Sequence, residues 1–278
     1  MSTRAWTLWR RQLGAVIGLE WRKGFAGKRS WWILLLAALP VLLGAAHSLA
    51  MWRRGEWTHT LATDSRIFAG LFQLAYLRFG IYLGCAVVFA NLFRGDMLDR
   101  TLHHSLLAPV RREVLAAGKY LAGLSALVPL FLLSVAACYL SLMAHFGVRL
   151  REFLFEGEGL THLGWYLAVT ALASIGYGAL FLLVGQVFAN PTLPAAVLLV
   201  WESINAFLPP PLKKLSVVFY LKSLSPVKLP ETGPLAVLAV ESDPLPAWEA
   251  VVGLLVFSAG LLAYAFVRAR KLEIRYEE

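Results

Sequence analysis

Six apolar runs, each about as long as a lipid bilayer is thick, constrain this chain more than any other feature. They cover approximately residues 31–51, 67–93, 120–146, 160–189, 192–208 and 247–267. A helix needs about 20 apolar residues to cross a hydrocarbon core of roughly 30 Å. Only 15% of the residues are charged, against about 25% in soluble domains, so little soluble mass is expected. We therefore predict an all-α, polytopic membrane protein with six transmembrane helices.

The distribution of Lys and Arg predicts the orientation of these helices. With six spans, both termini lie on one side of the membrane together with the segment 94–119. That side carries 16 Lys and Arg residues against 9 on the other. Short segments rich in Lys and Arg stay in the cytoplasm. We expect a multi-pass protein of the cytoplasmic (inner) membrane, with both termini, including the 269–278 tail, in the cytoplasm.

The N-terminal segment 1–30 combines seven basic residues with a tryptophan-rich apolar face. Helical spacing of three and four residues is kept by Trp6, Trp9, Leu13, Ile17 and Trp21. Apolar residues at this spacing fall on one side of a helix, and a basic amphipathic helix with tryptophans lies in the membrane interface. We predict an interfacial helix, the alternative being a basic leader that only sets topology.

Sequence motifs for catalysis are missing. The chain has no GxxxxGK followed by Ser or Thr, no HExxH and no GxSxG. Because nucleotide, zinc and acyl-transfer chemistry depend on such spacings, we expect no enzyme activity, metal or cofactor in this chain. Nucleic-acid binding needs a basic stripe on a soluble domain, and none is expected. Cys85 and Cys138 fall within apolar runs, so we expect them to pack there without forming a disulfide.

A compact polar insert, residues 94–119, separates the second and third runs. With Phe93 in front it reads FRGDMLDRTLHHSLLAPVRREVLAAGK. The carboxylate of Asp99 fits a helix start, and Pro109 fits a helix stop because the residue before proline is biased away from helix. We predict a short rigid helix over approximately 99–108, placed where a soluble partner can push on the membrane domain.

This insert resembles the signature region of the ABC-2 type transporter permeases. That family shows an acidic residue after the second span, then Thr-Leu, Leu-Leu and Pro-Val pairs, a basic residue, and a Lys before the third span. The matching residues here are Asp96 or Asp99, Thr101-Leu102, Leu106-Leu107, Pro109-Val110, Arg111-Arg112 and Lys119. The segment Glu20-Trp21-Arg22-Lys23, before the first apolar run, is similar to the family's N-terminal helix.

The resemblance implies a permease subunit of an ATP-binding-cassette exporter. A separate nucleotide-binding subunit would bind ATP and Mg on the cytoplasmic side, and a second permease subunit, identical or different, would complete the membrane domain. The chain departs from the family pattern in having Asp where Glu is usual. Contact with the ATPase is implied for Asp96, Asp99, Arg100, Thr101, Leu102, His103, His104, Leu106, Leu107, Pro109, Arg111 and Arg112.

Two charged residues, Arg78 and Glu202, fall near the middle of their apolar runs. An unpaired charge there costs about 2.5–3.5 kcal/mol, so each is expected to face the bundle interior and find a partner. The two residues either line a transport path or pair with each other, with Asn205 or with Gln73 to fix helix packing.

Four histidines, His47, His59, His145 and His162, fall near the predicted outer face. Imidazole is a common metal ligand, so a membrane anchor or electron-transfer subunit with outer-face His ligands is an alternative function. The other interpretation is that these four histidines lie at the membrane interface because the His side chain is amphipathic, and bind no ligand. A secondary transporter is a further alternative, although the discontinuous helices and inverted repeats of that class are not evident.

The long connection 209–246 begins with three prolines and then alternates apolar residues with lysines. It is compatible with an interfacial or re-entrant helix on the outer face and with an irregular loop.

Overall fold

A computed structural model describes residues 3–25, 29–54, 60–98, 110–227 and 245–270, and the regular secondary structure in these ranges is all helical. The helices of the first half are α1 (Thr3–Phe25), α2 (Arg29–Arg54), α3 (Leu61–Leu71), a π-helical segment (Phe72–Ile81) and α4 (Tyr82–Leu98). The helices of the second half are α5 (Arg112–Met143), α6 (Val148–Phe155), α7 (Gly159–Val187), α8 (Thr192–Ser203), α9 (Pro210–Lys213), α10 (Val217–Leu224) and α11 (Ala247–Arg270). Short 3₁₀ turns occupy Ala144–Phe146 and Asn205–Phe207.

Five helical stretches within the described residues are long and apolar enough to cross a membrane. They are Trp31–Arg53, Leu61–Met97, Arg112–Phe146, Gly159–Val187 and Ala247–Arg270. Each exceeds the roughly 20 residues that a bilayer requires. The prediction of an all-α, multi-pass membrane protein is confirmed at this level.

The predicted fifth span, 192–208, is shorter than expected. Its helix α8 ends at Ser203 after 12 residues, which is about 18 Å at the usual rise per residue and less than a hydrocarbon core of roughly 30 Å. The chain then continues through a 3₁₀ turn into α9 and α10. The helix ends early because Glu202 and Asn205, both buried, bond to the segment that follows instead of continuing an apolar helix.

Other boundaries also differ from the prediction. The second span begins at Leu61 rather than at residue 67, and the third helix begins at Arg112 rather than at residue 120. In the connection 209–246, the helical interpretation holds for α9 and α10. Val217, Tyr220, Leu221 and Leu224 of α10 are buried, whereas Val218 and Phe219 are partly exposed.

Contacts between spans fix their relative directions. The π-helical segment and α4 run parallel to α7, because Gly185 packs against Ala90 at one end and the rings of Phe72 and Tyr166 lie 4.7 Å apart at the other. α5 runs the opposite way, since the Tyr139 hydroxyl donates to the Gly159 carbonyl at 3.1 Å.

The last span, α11, runs parallel to α7. Arg268 Nε donates to the carbonyl of Gln186 at 3.4 Å, while Gly176 of α7 packs against Leu254 of α11. Two parallel helices joined by one connection require that connection to return along the bundle. Val187 and Ala247, the two ends of this connection, therefore lie at opposite ends of the bundle.

One end of the bundle, which we call the base, holds the end of α4, the start of α5 and the end of α11. Arg112 Nη1 donates to the carbonyl of Arg270 at 2.9 Å there. We call the opposite end, which holds the start of α3, the top.

Glycines allow the spans to approach closely. A Cβ added at Gly123 would lie 2.6 Å from Phe89 Cε1, and one at Gly178 would lie 2.8 Å from Phe89 Cζ. Small residues at such contacts are how membrane helices pack, because lipid provides no hydrophobic driving force between them. The ring of Phe89 is therefore held between α5 and α7.

We predict that Gly185→Val destabilises the protein more than Gly164→Val in the same helix. A Cβ at Gly185 would collide with the backbone of Ala90, whereas nothing lies within 4 Å of a Cβ at Gly164. Overpacking of this kind costs about 1–3 kcal/mol. Thermal unfolding of the purified protein in detergent, followed by circular dichroism, measures the effect. Equal unfolding temperatures for the two variants would contradict the α4–α7 contact.

Candidate functional site

The base joins α1, α4 and α5, and it includes both flanks of the predicted coupling segment 94–119. The structure describes residues 94–98 and 110–119 of this segment. The predicted contact residues that lie outside the described residues are Asp99, Arg100, Thr101, Leu102, His103, His104, Leu106, Leu107 and Pro109.

The helix α1 lies directly on α5. A Cβ added at Gly118 of α5 would be 2.7 Å from Val16 Cγ1 of α1, so only glycine permits the observed approach. About two turns further along α5, Trp21 Nε1 donates to Ser125 Oγ at 2.9 Å. The predicted N-terminal helix is therefore packed against the bundle. The side chain of Trp6 lies outside the described residues.

Lys119 is the most buried charged residue of the base, with 0% of its surface exposed. Its ammonium donates to Glu20 Oε1 at 2.5 Å, to Asp96 Oδ2 at 2.7 Å and to the carbonyl of Leu92 at 2.7 Å. An ammonium has three donors, so all of them are used. The nitrogen also lies 5.4 Å from the centre of the Phe93 ring.

Asp96 extends this arrangement to a second lysine. Its other oxygen, Oδ1, accepts from Lys23 Nζ at 3.0 Å. The four charges alternate in sign along the chain of contacts, and they come from α1, α4 and α5. We refer to Glu20, Lys23, Asp96 and Lys119 as the Lys119 cluster. Its two carboxylates balance its two ammonium groups, which is the condition under which buried charges are tolerated.

The predicted ATPase contact at Asp96 stays a prediction, but the position of this residue is now known. It is 6% exposed and both carboxylate oxygens are bonded within the cluster. Its observed role is to tie the end of α4 to α1 and α5.

Arg111 and Arg112, the other described contact candidates, lie at the start of α5. The Arg111 guanidinium is 5.3 Å from the centre of the Trp9 ring, and Arg112 bonds to the end of α11. Glu113 and Arg270 add an ion pair of 2.5 Å, which is largely exposed and so contributes little to stability. The start of α5 is thus in contact with both α1 and α11.

We predict that Lys119→Met destabilises the protein strongly, because the carboxylates of Glu20 and Asp96 lose their shared partner in a buried site. Removing one partner of a buried ion pair costs about 3–5 kcal/mol. Lys23→Met is the matched control, since its side chain is 39% exposed and its loss should cost much less. Unfolding temperature in detergent measures both changes.

Neutralising the whole site provides a second check on the same prediction. Glu20→Gln and Asp96→Asn added to Lys119→Met should recover part of the lost stability, because no buried charge is left unpaired. A Lys119→Met variant as stable as the unmodified protein would show that the cluster does not hold the base together.

Glu202 forms a second buried polar site, at the end of α8. Its carboxylate accepts from the backbone N–H groups of Val217 at 3.0 Å and Val218 at 2.8 Å, from Ser216 Oγ at 2.8 Å and from Tyr177 Oη at 3.1 Å. The first N–H groups of a helix have no partner within that helix, and a carboxylate is stabilised there. Glu202 therefore caps α10 and fastens it to α7 and α8.

The predicted pairing of Arg78 with Glu202, Asn205 or Gln73 is not formed in the described part of the chain. Glu202 is occupied by the start of α10, and Asn205 Nδ2 donates to the carbonyl of Lys213 at 3.3 Å. Arg78 lies in the π-helical segment, and it makes no hydrogen bond or ion pair with any described residue. Glu202 and Asn205 bond instead to residues of the segment that follows α8, close to them in the chain.

We predict that Glu202→Ala loosens the segment 209–227 without unfolding the spans, because the Val217 and Val218 N–H groups lose their acceptor. A buried donor left unsatisfied costs about 1–3 kcal/mol. Hydrogen–deuterium exchange should become faster in α9 and α10 while α5 and α7 stay protected. Glu156→Ala, an exposed glutamate at the top, is the control. Unchanged exchange in α10 would contradict the capping role.

The outer histidines divide into different environments. His47 Nε2 and His145 Nε2 lie 3.3 Å and 3.5 Å from Asp64 Oδ2, and Asp64 has 0% of its surface exposed. His162 lies 3.4 Å from Glu158 instead, and His59 is outside the described residues. No arrangement of three His, Cys, Asp or Glu side chains suited to a metal ion occurs among the described residues. The Asp64 carboxylate thus ties α2 to α3 at the top through His47, and His145 lies beside it without a hydrogen bond to it.

Sequence reasoning singled out neither Asp64 nor the pairing of Glu20 with Lys119. Asp64 is an acidic residue just before residue 67, the predicted start of the second span, and this position could have drawn attention to it. The helix that carries Asp64 begins earlier than predicted, at Leu61. In comparison with known proteins, the chain matches no family model and no curated protein sequence.

Proposed function

We propose that this chain is the permease subunit of an ATP-binding-cassette exporter in the cytoplasmic membrane. In this proposal the chain crosses the membrane six times with both termini in the cytoplasm, and it works with a second permease subunit. A separate nucleotide-binding subunit binds ATP and Mg and contacts the segment 94–119.

The observation that carries this proposal is the Lys119 cluster. It connects α1, α4 and α5 at both flanks of the segment 94–119. A force applied to that segment acts on three helices together, because charges buried among them cannot separate without losing their partners. This is the mechanical property that a coupling segment requires.

The direction of the spans supports the number of crossings. Since α7 and α11 run parallel, the chain between them returns along the bundle, and this return is the fifth crossing. It begins with the short helix α8, and the remaining distance is covered by residues after Ser203. The base then faces the cytoplasm, because the segments at that end carry most of the Lys and Arg residues.

The source of energy lies outside the chain in this proposal. The sequence has no phosphate-binding loop of the GxxxxGK type, so ATP hydrolysis belongs to the partner. Closure of the partner subunits would move the base, and α4 and α5 would tilt as rigid bodies.

We predict that the chain purified from its native membrane carries an ATPase subunit with it. Leu102→Asp and Leu107→Asp, in the predicted coupling helix, should each remove most of this ATPase, because a carboxylate cannot fill an apolar groove without losing its hydration. Bound ATPase activity and subunit content after affinity purification measure the effect.

Val148→Asp serves as the control. Val148 is 74% exposed at the top of the bundle, so the same chemical change there should leave the ATPase bound. The proposal fails if the unmodified chain brings down no ATPase, or if Leu102→Asp and Leu107→Asp keep it while the chain remains helical.

A further inference from the structure

Among the described residues, Arg78 is the one charged group in the middle of a long span, and it is half-buried. Arg78 lies close to the midpoint of the 37-residue stretch Leu61–Met97. A charge at that depth faces protein or water and marks a functional site in most membrane proteins. No described residue bonds to it, so the described part of the chain supplies it with no counter-charge.

The local backbone turns Arg78 away from the bundle core. Gly80 packs against Phe131 of α5, and two residues correspond to roughly half a helical turn, so Arg78 is on the other side of the helix. The flanking residues Leu74 and Phe79 are 54% and 43% exposed. The π-helical geometry from Phe72 to Ile81 is a feature often found at functional sites.

A second copy of this chain cannot easily supply the missing negative charge. The acidic residues in the described spans and in α8 are Asp64, Asp96, Glu113, Glu202 and Glu249. Asp64, Asp96, Glu113 and Glu249 lie within a turn of the end of their spans, and Glu202 already accepts four hydrogen bonds. None of these carboxylates is both free and at the depth of Arg78.

The surface beside Arg78 is apolar. One turn along from Arg78, the Tyr82 hydroxyl donates to the carbonyl of Ala195 at 2.7 Å, so α8 lies next to this side of α4. The exposed residues of α8 are aliphatic, with Leu193, Val197 and Val200 each more than half exposed. Leu193 and Val197 are each two residues from Ala195, about half a helical turn, so they lie on the side of α8 away from this contact. The exposed apolar residues beside Arg78 itself are Leu74 and Phe79.

We propose that Arg78 binds the phosphate group of an acidic lipid or lipid-like molecule whose acyl chains lie against the exposed residues Leu74 and Phe79 of the π-helical segment. A planar guanidinium donates two parallel hydrogen bonds to a phosphate, and burying a charge pair of this kind removes the cost of the isolated cation. The binding of this molecule does not depend on the proposed function. Its identification as the transported substrate does rest on that function.

The test uses the full-length chain purified in detergent, without any ATPase. Phosphatidylglycerol and phosphatidylcholine with the same acyl chains are added in equal amounts, and the bound lipid is counted by native mass spectrometry. The unmodified protein should prefer phosphatidylglycerol by about tenfold, the ratio that 1.4 kcal/mol produces. Arg78→Gln should abolish this preference, and Arg78→Lys, which keeps the charge, should retain part of it.

Arg66→Gln is the matched control, because Arg66 is an exposed arginine in the same span near its end and its loss should leave the preference intact. An unmodified protein without preference, or a folded Arg78→Gln protein that keeps it, overturns the proposal. Displacement of the lipid by inorganic phosphate alone assigns the site to a soluble anion and overturns the proposal that it binds a lipid. A dimer that dissociates on Arg78→Gln with lipid preference unchanged assigns Arg78 to a subunit contact instead. If Arg78→Gln does not fold, the partial loss expected for Arg78→Lys decides the question.

Discussion

The complete burial of Lys119 is the constraint on which the base of this protein depends. An ammonium removed from water is tolerated only when opposite charges and hydrogen-bond acceptors replace its hydration. The acceptors here are Glu20 on α1, Asp96 at the end of α4 and the Leu92 carbonyl one turn earlier. Each lies on a helix other than that of Lys119, so the three helices must keep their positions together. The close contact of Val16 with Gly118 brings α1 near enough for this to happen.

At three places inside the bundle, a buried carboxylate forms hydrogen bonds or ion pairs with residues of other segments. The Lys119 cluster joins helices at the base, Asp64 bonds to His47 at the top, and Glu202 caps the start of α10. In each case a buried carboxylate joins segments that are distant in the chain, as expected where water cannot satisfy polar groups. Arg78 is an exception to this pattern, because no described residue forms a hydrogen bond or an ion pair with its guanidinium. This departure is the observation on which the proposed lipid site rests.

The long spans could be predicted from sequence because they depend on length and hydropathy, which are local properties. The early end of α8 could not, because it depends on Glu202 capping a helix that begins 15 residues later. The pairing of Glu20 with Lys119 bridges 99 residues and needs the tertiary fold, although both residues belong to segments that the family resemblance had already singled out. Arg78 was correctly chosen as an unusual residue, but its lack of a partner is visible only once the neighbours of Glu202 and Asn205 are known.

The central claim is that buried charge holds α1 on α5 next to the predicted coupling segment. Hydrogen–deuterium exchange in α1 of the full-length protein tests it most directly, because α1 is held on α5 by the contact of Val16 with Gly118 and by the bond from Lys119 to Glu20. The account predicts slow exchange in α1 that becomes much faster in Lys119→Met while α7 stays protected. Fast exchange in α1 of the unmodified protein, or exchange that Lys119→Met leaves unchanged, would contradict it.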